Sequence, residues 1–235
     1  MTEAKETFDG VATAYEAELA AGLDATGEDS TYFAKGRVDW LQKRLAGLSI
    51  VPRQVLDFGC GVGGSVPYLL GLPNVERVTG VDVSTASLAV ARQRHADSRV
   101  CFEPTMAAVP DGSIDVAFCN GVFHHIPPAD RAACVQSVCR VLRPGGVFAL
   151  WENNPWNPAV RWIMSRVSFD ADAITLSPPE ARRLLRDNGL PPVASDFLFI
   201  FPRPLAWLRW TEPAARKLPL GGQYLTLGRR PGKTG

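Results

Sequence analysis

The chain has 235 residues, of which 46% are hydrophobic and 21% charged, as in ordinary globular domains. Lysine and arginine (25) nearly balance aspartate and glutamate (24), which argues against a nucleic-acid partner because general nucleic-acid binders carry a basic excess. No apolar run is long enough for an integral membrane segment, and the start MTEAKETFDG lacks the basic and apolar parts of a signal peptide. We therefore expect a single cytoplasmic domain over residues 1–235.

The five cysteines are odd in number, and none forms a C-x-x-C motif. Cys134 and Cys139 share a predicted helix, but a spacing of five places them about 140° apart around its axis. The cysteines are therefore interpreted as small buried thiols in a reducing compartment, and no metal site is predicted.

The chain alternates between apolar runs and segments with helical spacing. A first helix is predicted over Gly36 to Leu48, and five strands are predicted at QVLDFG, RVTGVDVS, RVCFEP, SIDVAFCNG and VFALWE. Helices are predicted between the strands at SVPYLLGL, at STASLAVARQRHA with a cap at Ser84 or Thr85, and at PADRAACVQSVCRVL, which RPGG ends. Strands and helices at such short spacing imply parallel strands joined by right-handed crossovers.

The C-terminal part has a different order of elements. SPPEARRLLRDNGL predicts a helix that stops at Asn188-Gly189, and DFLFIF and QYLTLGRR predict two strands that pair antiparallel at the sheet edge. The predicted fold is therefore α/β, a doubly wound Rossmann-like sheet of seven strands, mostly parallel with an antiparallel last strand. The segment RPLAWLRWTEPAARKLPL is interpreted as an insertion whose apolar side packs down; the alternatives are a lid or a patch in peripheral contact with lipid headgroups.

The loop after the first strand, in VLDFGCGVGGS, satisfies G-x-G-x-x-G and G-x-G-x-G at once. In such a sheet, ligands bind at the carboxyl ends of the strands, where the glycines let a ligand approach the backbone. Asp82 ends the second strand and can accept hydrogen bonds from both ribose hydroxyls of an adenosine. Asp57 precedes the first glycine by two residues, where it would repel a pyrophosphate but would suit a cationic, phosphate-free ligand. S-adenosylmethionine has these properties.

Four segments, VLDFGCGVGG, GVDVS, VPDGSIDVAFCNGVFHHI and RVLRPGGVFALWE, resemble the successive motifs of class I S-adenosylmethionine-dependent methyltransferases of the small-molecule type. FDGVATAYEAEL is similar to the N-terminal helix that closes over the cofactor in many of them, so the resemblance covers roughly residues 8–152. From ENNPWNP to LGGQYLTLGRR the chain is also similar to a bacterial subgroup linked to glycan or natural-product pathways. The resemblance implies a helical cap (1–50), a cofactor-binding half (51–152) and a substrate-side half with a C-terminal hairpin (153–235).

The resemblance also implies roles for particular residues. Asp82 would hold the ribose, Val83 would pack against the adenine, and Glu103 stands where the family usually has Asp. Asn120, at the end of the fourth strand, would lie near the methionine part, with a turn-capping amide as the alternative. The full set of cofactor-binding candidates is Tyr15, Asp57, Gly59, Gly61, Gly63, Asp82, Val83, Glu103 and Asn120.

A hydroxyl or carbon-acid acceptor needs a general base, for which histidine is the usual choice. His124 and His125 follow the fourth strand at the ligand end of the sheet, and Glu152 near the end of the fifth is the third catalytic candidate. As alternatives, the histidines serve structure, and Glu152 binds a basic substrate or pairs with Arg161. His95 is expected to be solvated on an outer helix.

The stretch WENNPWNPAVRW predicts a polar and aromatic patch at the ligand end of the sheet, with tryptophans that cover the core as the alternative. The candidate substrate-binding residues are Trp151, Asn153, Trp156, Asn157 and Arg161.

The sequence therefore predicts methyl transfer from S-adenosylmethionine to a small molecule such as a sugar, lipid-linked glycan or natural-product intermediate. One alternative is a cofactor-binding protein of this fold without methyl transfer, either cyclase-like or a scaffold. A nicotinamide-dependent oxidoreductase is disfavoured because Asp57 fits it poorly and no Y-x-x-x-K pair is present. The methylated atom and the oligomeric state are left open.

Overall fold

The computed structural model describes residues 22–23, 26–167 and 173–232. Within these ranges the structure has seven strands. They are β1 (Gln54–Phe58), β2 (Arg77–Val81), β3 (Val100–Glu103), β4 (Ile114–Asn120), β5 (Leu142–Asn153), β6 (Pro192–Leu198) and β7 (Gln223–Arg229).

The same ranges contain α-helices and short 3₁₀ helices that connect the strands. The α-helices are α1 (Ser30–Gly47), α2 (Val66–Leu70), α3 (Thr85–Arg94), α4 (Pro128–Val141), α5 (Pro158–Met164), α6 (Pro178–Asp187) and α7 (Glu212–Ala215). The 3₁₀ helices are Met106–Ala108, Phe123–His125 and Arg203–Thr211. None of the helices in the described ranges has the length and apolar character needed to cross a membrane.

The strands form one sheet in the order β3-β2-β1-β4-β5-β7-β6. Neighbours from β3 to β5 pair parallel, whereas β7 pairs antiparallel with both β5 and β6. The doubly wound, mostly parallel sheet predicted from the alternation of elements is confirmed. The chain order reverses between β1 and β4, and at such a point a crevice opens at the carboxyl ends of the strands.

The sheet is covered on both faces, which explains why its central strands are apolar at successive positions. Val55 belongs to one buried cluster and Leu56 to the other, and Phe118 and Cys119 divide in the same way. One cluster includes residues of α1 and α3, and the other includes residues of α4 and α6. Burial of these two layers fixes the strand register, and the register places the polar residues that follow each strand along one edge.

The helix starts follow from local hydrogen bonds. α1 begins at Ser30, six residues earlier than predicted, because the Asp29 side chain accepts a hydrogen bond from the backbone N–H of Tyr32 (2.8 Å). Ser84 caps α3 in the predicted way by accepting from the N–H of Ser87 (3.1 Å).

The fifth strand is longer than predicted. RPGG does not separate it from α4: β5 begins at Leu142, directly after the helix, and Leu142 pairs with Ile114. The register then shifts before Val116 pairs with Val147, so the Pro-Gly-Gly residues sit in an irregularity of the strand.

The segment between β6 and β7 also differs from the expectation that its apolar side packs down. Trp207 and Trp210 are 70% and 80% exposed. Polar contacts hold the segment instead: the buried carboxylate of Glu212 accepts the backbone N–H groups of residues 199–201 at 3.1–3.2 Å.

A buried carboxylate on β6 fastens α1 to the sheet. Asp196 is fully buried and accepts hydrogen bonds from Trp40 Nε1 (3.1 Å) and Arg44 Nε (2.6 Å), while Lys217 Nζ lies 3.0 Å from its other oxygen. Burial alone would raise the pKa of this carboxyl, but the hydrogen bonds from Arg44, Lys217 and Trp40 outweigh it and lower the pKa.

We predict that Asp196→Asn lowers the free energy of unfolding by about 2–4 kcal/mol at neutral pH, because it leaves a partly buried guanidinium without its charge partner. The deficit should shrink as the pH falls through the lowered pKa of Asp196, since the wild-type carboxylate is then protonated too. Urea unfolding across the acid range measures both effects. Asp39→Asn, which removes an exposed ion pair with Lys35 on the same helix, is the control and should change little.

Candidate functional site

The glycine loop leaves the carboxyl end of β1 at the reversal point of the sheet. Gly59, Gly61 and Gly63 all have positive φ, and a Cβ at Gly59 would also lie 2.3 Å from Val122 and one at Gly63 2.6 Å from His95. Gly61 differs in its surroundings, because a Cβ there would meet nothing within 4 Å. Its backbone therefore faces open space that a ligand can occupy.

His95 is not on the solvated outer face that was expected. Its ring packs against Gly63 and lies near Phe102, with ring centroids 6.2 Å apart. Burial lowers the pKa of this imidazole. Because its ring packs against Gly63, His95 supports the glycine loop.

Asp82, directly after β2, shapes the same loop. Its Oδ2 accepts a hydrogen bond from the N–H of Gly61 (2.8 Å), and its Oδ1 accepts one from the N–H of Ser84 (2.9 Å). These two bonds hold the carboxylate next to the backbone of Gly61.

Asp57 is in the opposite situation. It is 3% exposed, and within the described residues its Oδ2 has no hydrogen-bond partner. Its pKa is raised to about 7, first by burial and then by the nearby charge of Asp82, while Arg37 opposes the shift. A buried acid of this kind beside the open backbone of Gly61 fits a ligand that brings positive charge and no phosphate. The residues present therefore fit S-adenosylmethionine, which carries a sulfonium and an ammonium.

The other cofactor candidates in the described residues lie along the same edge. Val83 follows Asp82, and Glu103 ends β3 in register with Val81; both side chains are half-buried. Asn120 ends β4, and its buried Oδ1 has no hydrogen-bond partner in the part of the chain that the structure describes. Tyr15 lies outside the described residues.

Two of the catalytic candidates form a hydrogen-bonded pair. His124, in the 3₁₀ turn after β4, is 4% exposed, and its Nδ1 lies 2.6 Å from Oε2 of Glu152, which is 1% exposed. The other oxygen of Glu152 accepts the N–H of Phe123 at 2.8 Å. Glu152 is thus engaged on both oxygens, and Arg161, its suggested partner, lies exposed on α5. The ring of His125 lies 4.1 Å from that of His124.

A cavity of about 470 Å³ opens beside this pair. Its wall is largely aromatic and aliphatic and comes from α1, α5 and the residues that follow β6, including Tyr32, Phe33, Trp162, Ile163, Phe199 and Phe201. Its polar side chains include Asn120, His124, His125, Asn153, Asn157 and Gln223. The volume is that of a site for a small organic molecule.

The charged side chains of the wall interact with other groups of the protein. Arg209 and Glu28 form an ion pair of 2.9 Å, and the guanidinium of Arg209 stands 4.5 Å from the ring centre of Tyr32. Arg37 donates to the neutral amide oxygen Oε1 of Gln223 at 2.9 Å, and its charge lowers the pKa of Asp57.

The predicted substrate residues divide into two groups. Asn153 and Asn157 line the cavity; Asn153 accepts from Gln223 (3.1 Å), and Asn157 caps α5 by accepting from the N–H of Ala159. Trp151 is fully buried in the core, which matches the alternative interpretation. Trp156 is half exposed and stacks on another aromatic ring, and Arg161 is exposed.

Sequence reasoning missed residues that come from distant parts of the chain. Arg37 is buried on α1, one turn before Leu41, on a helix face that is otherwise apolar. A charged residue on an apolar helix face was the sequence signal that could have identified it. Tyr32, Arg209 and Gln223 gave no such signal, because only tertiary folding brings them to the cavity.

Comparison with known proteins agrees with this geometry. Residues 56–150 match the family model described as "Methyltransferase domain". The chain is 31% identical over 196 residues to 27-O-demethylrifamycin SV methyltransferase from Amycolatopsis mediterranei, which covers 75% of the chain and 67% of that protein. It is 35% identical over 160 residues to ubiquinone biosynthesis O-methyltransferase from Pseudomonas aeruginosa, 66% of each. The chain thus spans about two thirds of the length of these relatives.

Among solved structures, the fold is similar to geranyl diphosphate C-methyltransferase from Streptomyces coelicolor A3(2), crystallised with Mg²⁺, geranyl diphosphate and S-adenosyl-L-homocysteine. The TM-score is 0.60 at 22% identity, over 82% of this chain and 79% of that one. The chain belongs to the class I methyltransferases. It is an S-adenosylmethionine-dependent methyltransferase, and S-adenosylmethionine is its cofactor.

We predict that Asp57→Asn stabilises the cofactor-free protein above neutral pH, by up to about 4 kcal/mol, because it removes a buried charge. The pKa of Asp57 is raised in the folded state, so its ionisation makes the wild type less stable as the pH rises from about 4 to about 7. Chemical unfolding without cofactor at pH 4 and pH 8 tests this. Equal stability of the two proteins at pH 8 would contradict the assignment of a buried, uncompensated charge.

Proposed function

We propose that the protein transfers the methyl group to a hydroxyl oxygen of a small, largely apolar and uncharged acceptor bound in the 470 Å³ cavity. The observation that carries the proposal is the His124–Glu152 pair (2.6 Å), whose histidine lines that cavity. A hydroxyl is a weak nucleophile until it loses its proton, and a carboxylate-supported imidazole is suited to taking that proton.

In this proposal the bound cofactor supplies a methyl group that its sulfonium has already activated. Ionised Asp57 balances the cofactor's positive charge, and Asp82 accepts from the ribose hydroxyls. The backbone of Gly61 carries no side chain and so leaves space for the cofactor. Gly59 and Gly63 shape the same loop. Val83 packs against the adenine and Glu103 accepts from its amino group, while the buried Oδ1 of Asn120 accepts from the methionine part.

His124 acts as the general base and Glu152 as its positioning residue. The N–H of Phe123 fixes the Glu152 carboxylate, which holds the imidazole in one orientation and stabilises the positive charge that it gains with the proton. His125 contacts the ring of His124 and lines the same cavity, so its contribution is measured separately.

The wall of the cavity indicates the chemistry of the acceptor. An aromatic and aliphatic lining favours a ring system of natural-product type over a free sugar, whose many hydroxyls would need more polar partners. Asn153 and Gln223 supply amides that can orient one polar group of the acceptor. Two relatives carry names that describe oxygen methylation in rifamycin and ubiquinone biosynthesis, which supports an oxygen acceptor in a biosynthetic pathway.

We expect His124→Gln to lower kcat by about 10²–10⁴-fold and to remove the acidic limb of the pH–rate profile, with little change in cofactor affinity. Glu152→Gln should lower kcat by a smaller factor and leave KM nearly unchanged. The assay measures methyl transfer from labelled cofactor to a panel of uncharged phenols, catechols and alicyclic alcohols. The assay uses saturating cofactor, so that weaker cofactor binding on protonation of Asp57 does not change the measured rate.

His125→Gln is the matched comparison for this experiment. A larger loss of kcat in His125→Gln than in His124→Gln would transfer the role of base to His125. Faster methylation of amine or carboxylate acceptors than of any hydroxyl in the same panel would overturn the proposed acceptor class.

Gly61→Ala and Gly112→Ala form a matched pair for the cofactor loop. Both glycines have positive φ (+52° and +61°) with nothing within 4 Å of the added Cβ, but Gly112 lies in a turn before β4. Each variant should lose about 1–2 kcal/mol of stability. Only Gly61→Ala should weaken S-adenosylmethionine binding in calorimetry, because its methyl group enters the space for the ligand. Equal affinity in the two variants would place the cofactor elsewhere.

A further inference from the structure

The segment from Arg203 to Leu220 carries an exposed apolar surface that methyl transfer does not use. Its members, here called the tryptophan surface, are Leu205, Trp207, Trp210, Leu218 and Leu220, with exposures between 41% and 80%. We propose that this surface docks the protein on an anionic lipid layer.

The tryptophans are not needed to hold the segment in place. Glu212 accepts the backbone N–H groups of residues 199–201, and Arg209 donates to the carbonyl of Phe201 (3.1 Å) and pairs with Glu28. Trp207 and Trp210 remain 70% and 80% exposed beside these contacts. Exposing two indoles to water is unfavourable, so their place on the surface favours an external partner.

The charges of the segment indicate which partner this is. Between Arg203 and Leu220 the chain has three arginines and one lysine, and its single acidic residue, Glu212, is buried. Arg209 pairs with Glu28, and Arg216 and Lys217 share the single carboxylate of Asp196, so the segment keeps an excess of positive charge, with Arg203 and Lys217 exposed. This excess is complementary to anionic headgroups, and tryptophan is the residue that settles at the boundary between headgroups and acyl chains.

A protein partner fits the composition less well. Charged residues are depleted from the cores of protein–protein interfaces, whereas here cations alternate with the apolar residues. Arg203, Leu205, Trp207, Arg209 and Trp210 follow one another within eight positions, an arrangement typical of segments that lie in a membrane interface.

The position of the segment gives the docking a consequence. Phe201, Pro202 and Arg209 of the same stretch line the cavity, so a docked protein holds its cavity next to the lipid layer. An apolar acceptor that partitions into lipid is then concentrated where the cavity can take it. This consequence rests on the proposed function, but the docking itself does not.

The test is sedimentation with vesicles made of equal parts of phosphatidylcholine and phosphatidylglycerol, compared with phosphatidylcholine alone. The wild type should sediment with the anionic vesicles, and added salt should weaken this binding. The double variant Trp207→Ser/Trp210→Ser should bind at least about tenfold more weakly, because the two indoles supply most of the apolar area. Val51→Ser is the control: Val51 is 45% exposed but precedes β1, at the opposite edge of the sheet, and its variant should bind like wild type.

Thermal unfolding of the double variant must match the wild type, which separates lost docking from lost folding. The proposal is wrong if the wild type stays in the supernatant, if it binds phosphatidylcholine alone equally well, or if the double variant sediments like wild type. A dimer in size-exclusion chromatography that the double variant abolishes would instead assign the surface to a second copy of the chain. None of these outcomes depends on methyl transfer, so they do not bear on the proposed function.

Discussion

The site depends on Asp57, a buried carboxylate whose Oδ2 has no hydrogen-bond partner within the described residues. Asp57 sits in the central strand of the sheet, close to Asp82, and burial together with the neighbouring charge brings its pKa to about 7. The fold tolerates this cost because two apolar layers enclose the sheet and hold β1 in register between β2 and β4. In the proposed binding mode, the positive charge of the cofactor compensates the charge of Asp57.

Four carboxylates in this protein have different roles because their partners differ. Asp196 is surrounded by cationic and N–H donors and fastens a helix to the sheet. Asp82 accepts from two backbone N–H groups and shapes a loop. Glu152 is held by one N–H and orients an imidazole. Asp57 has an oxygen with no partner within the described residues, and so it alone of these four is set to respond directly to a ligand's charge.

The cofactor edge could be predicted from the sequence because its residues follow strands directly. A strand that ends in D-x-G-x-G and a neighbour that ends in D must place their acids at the same edge once the strands pair parallel. Arg37, Tyr32 and Arg209 could not be found in this way, because they reach the cavity only through the packing of α1 and of the segment after β6. The exposure of Trp207 was also beyond sequence reasoning: an apolar pattern does not distinguish a buried face from one that faces outward.

The proposed cofactor site and the proposed acceptor cavity are therefore built from different parts of the chain. The groups proposed to hold the cofactor are set by strand register, which the cores fix rigidly, so their geometry changes little when surface segments change. The proposed acceptor cavity is walled by helices and loops that meet through aromatic contacts, such as Phe33 with Phe199, and polar ones, such as Glu28 with Arg209. Substitutions in that wall can alter the shape and polarity of the cavity without disturbing Gly61, whereas Arg37 also lowers the pKa of Asp57. Under the two proposals, acceptor choice is set on the outer segments, and the tryptophan surface, on one of those segments, would couple that choice to where the protein is held.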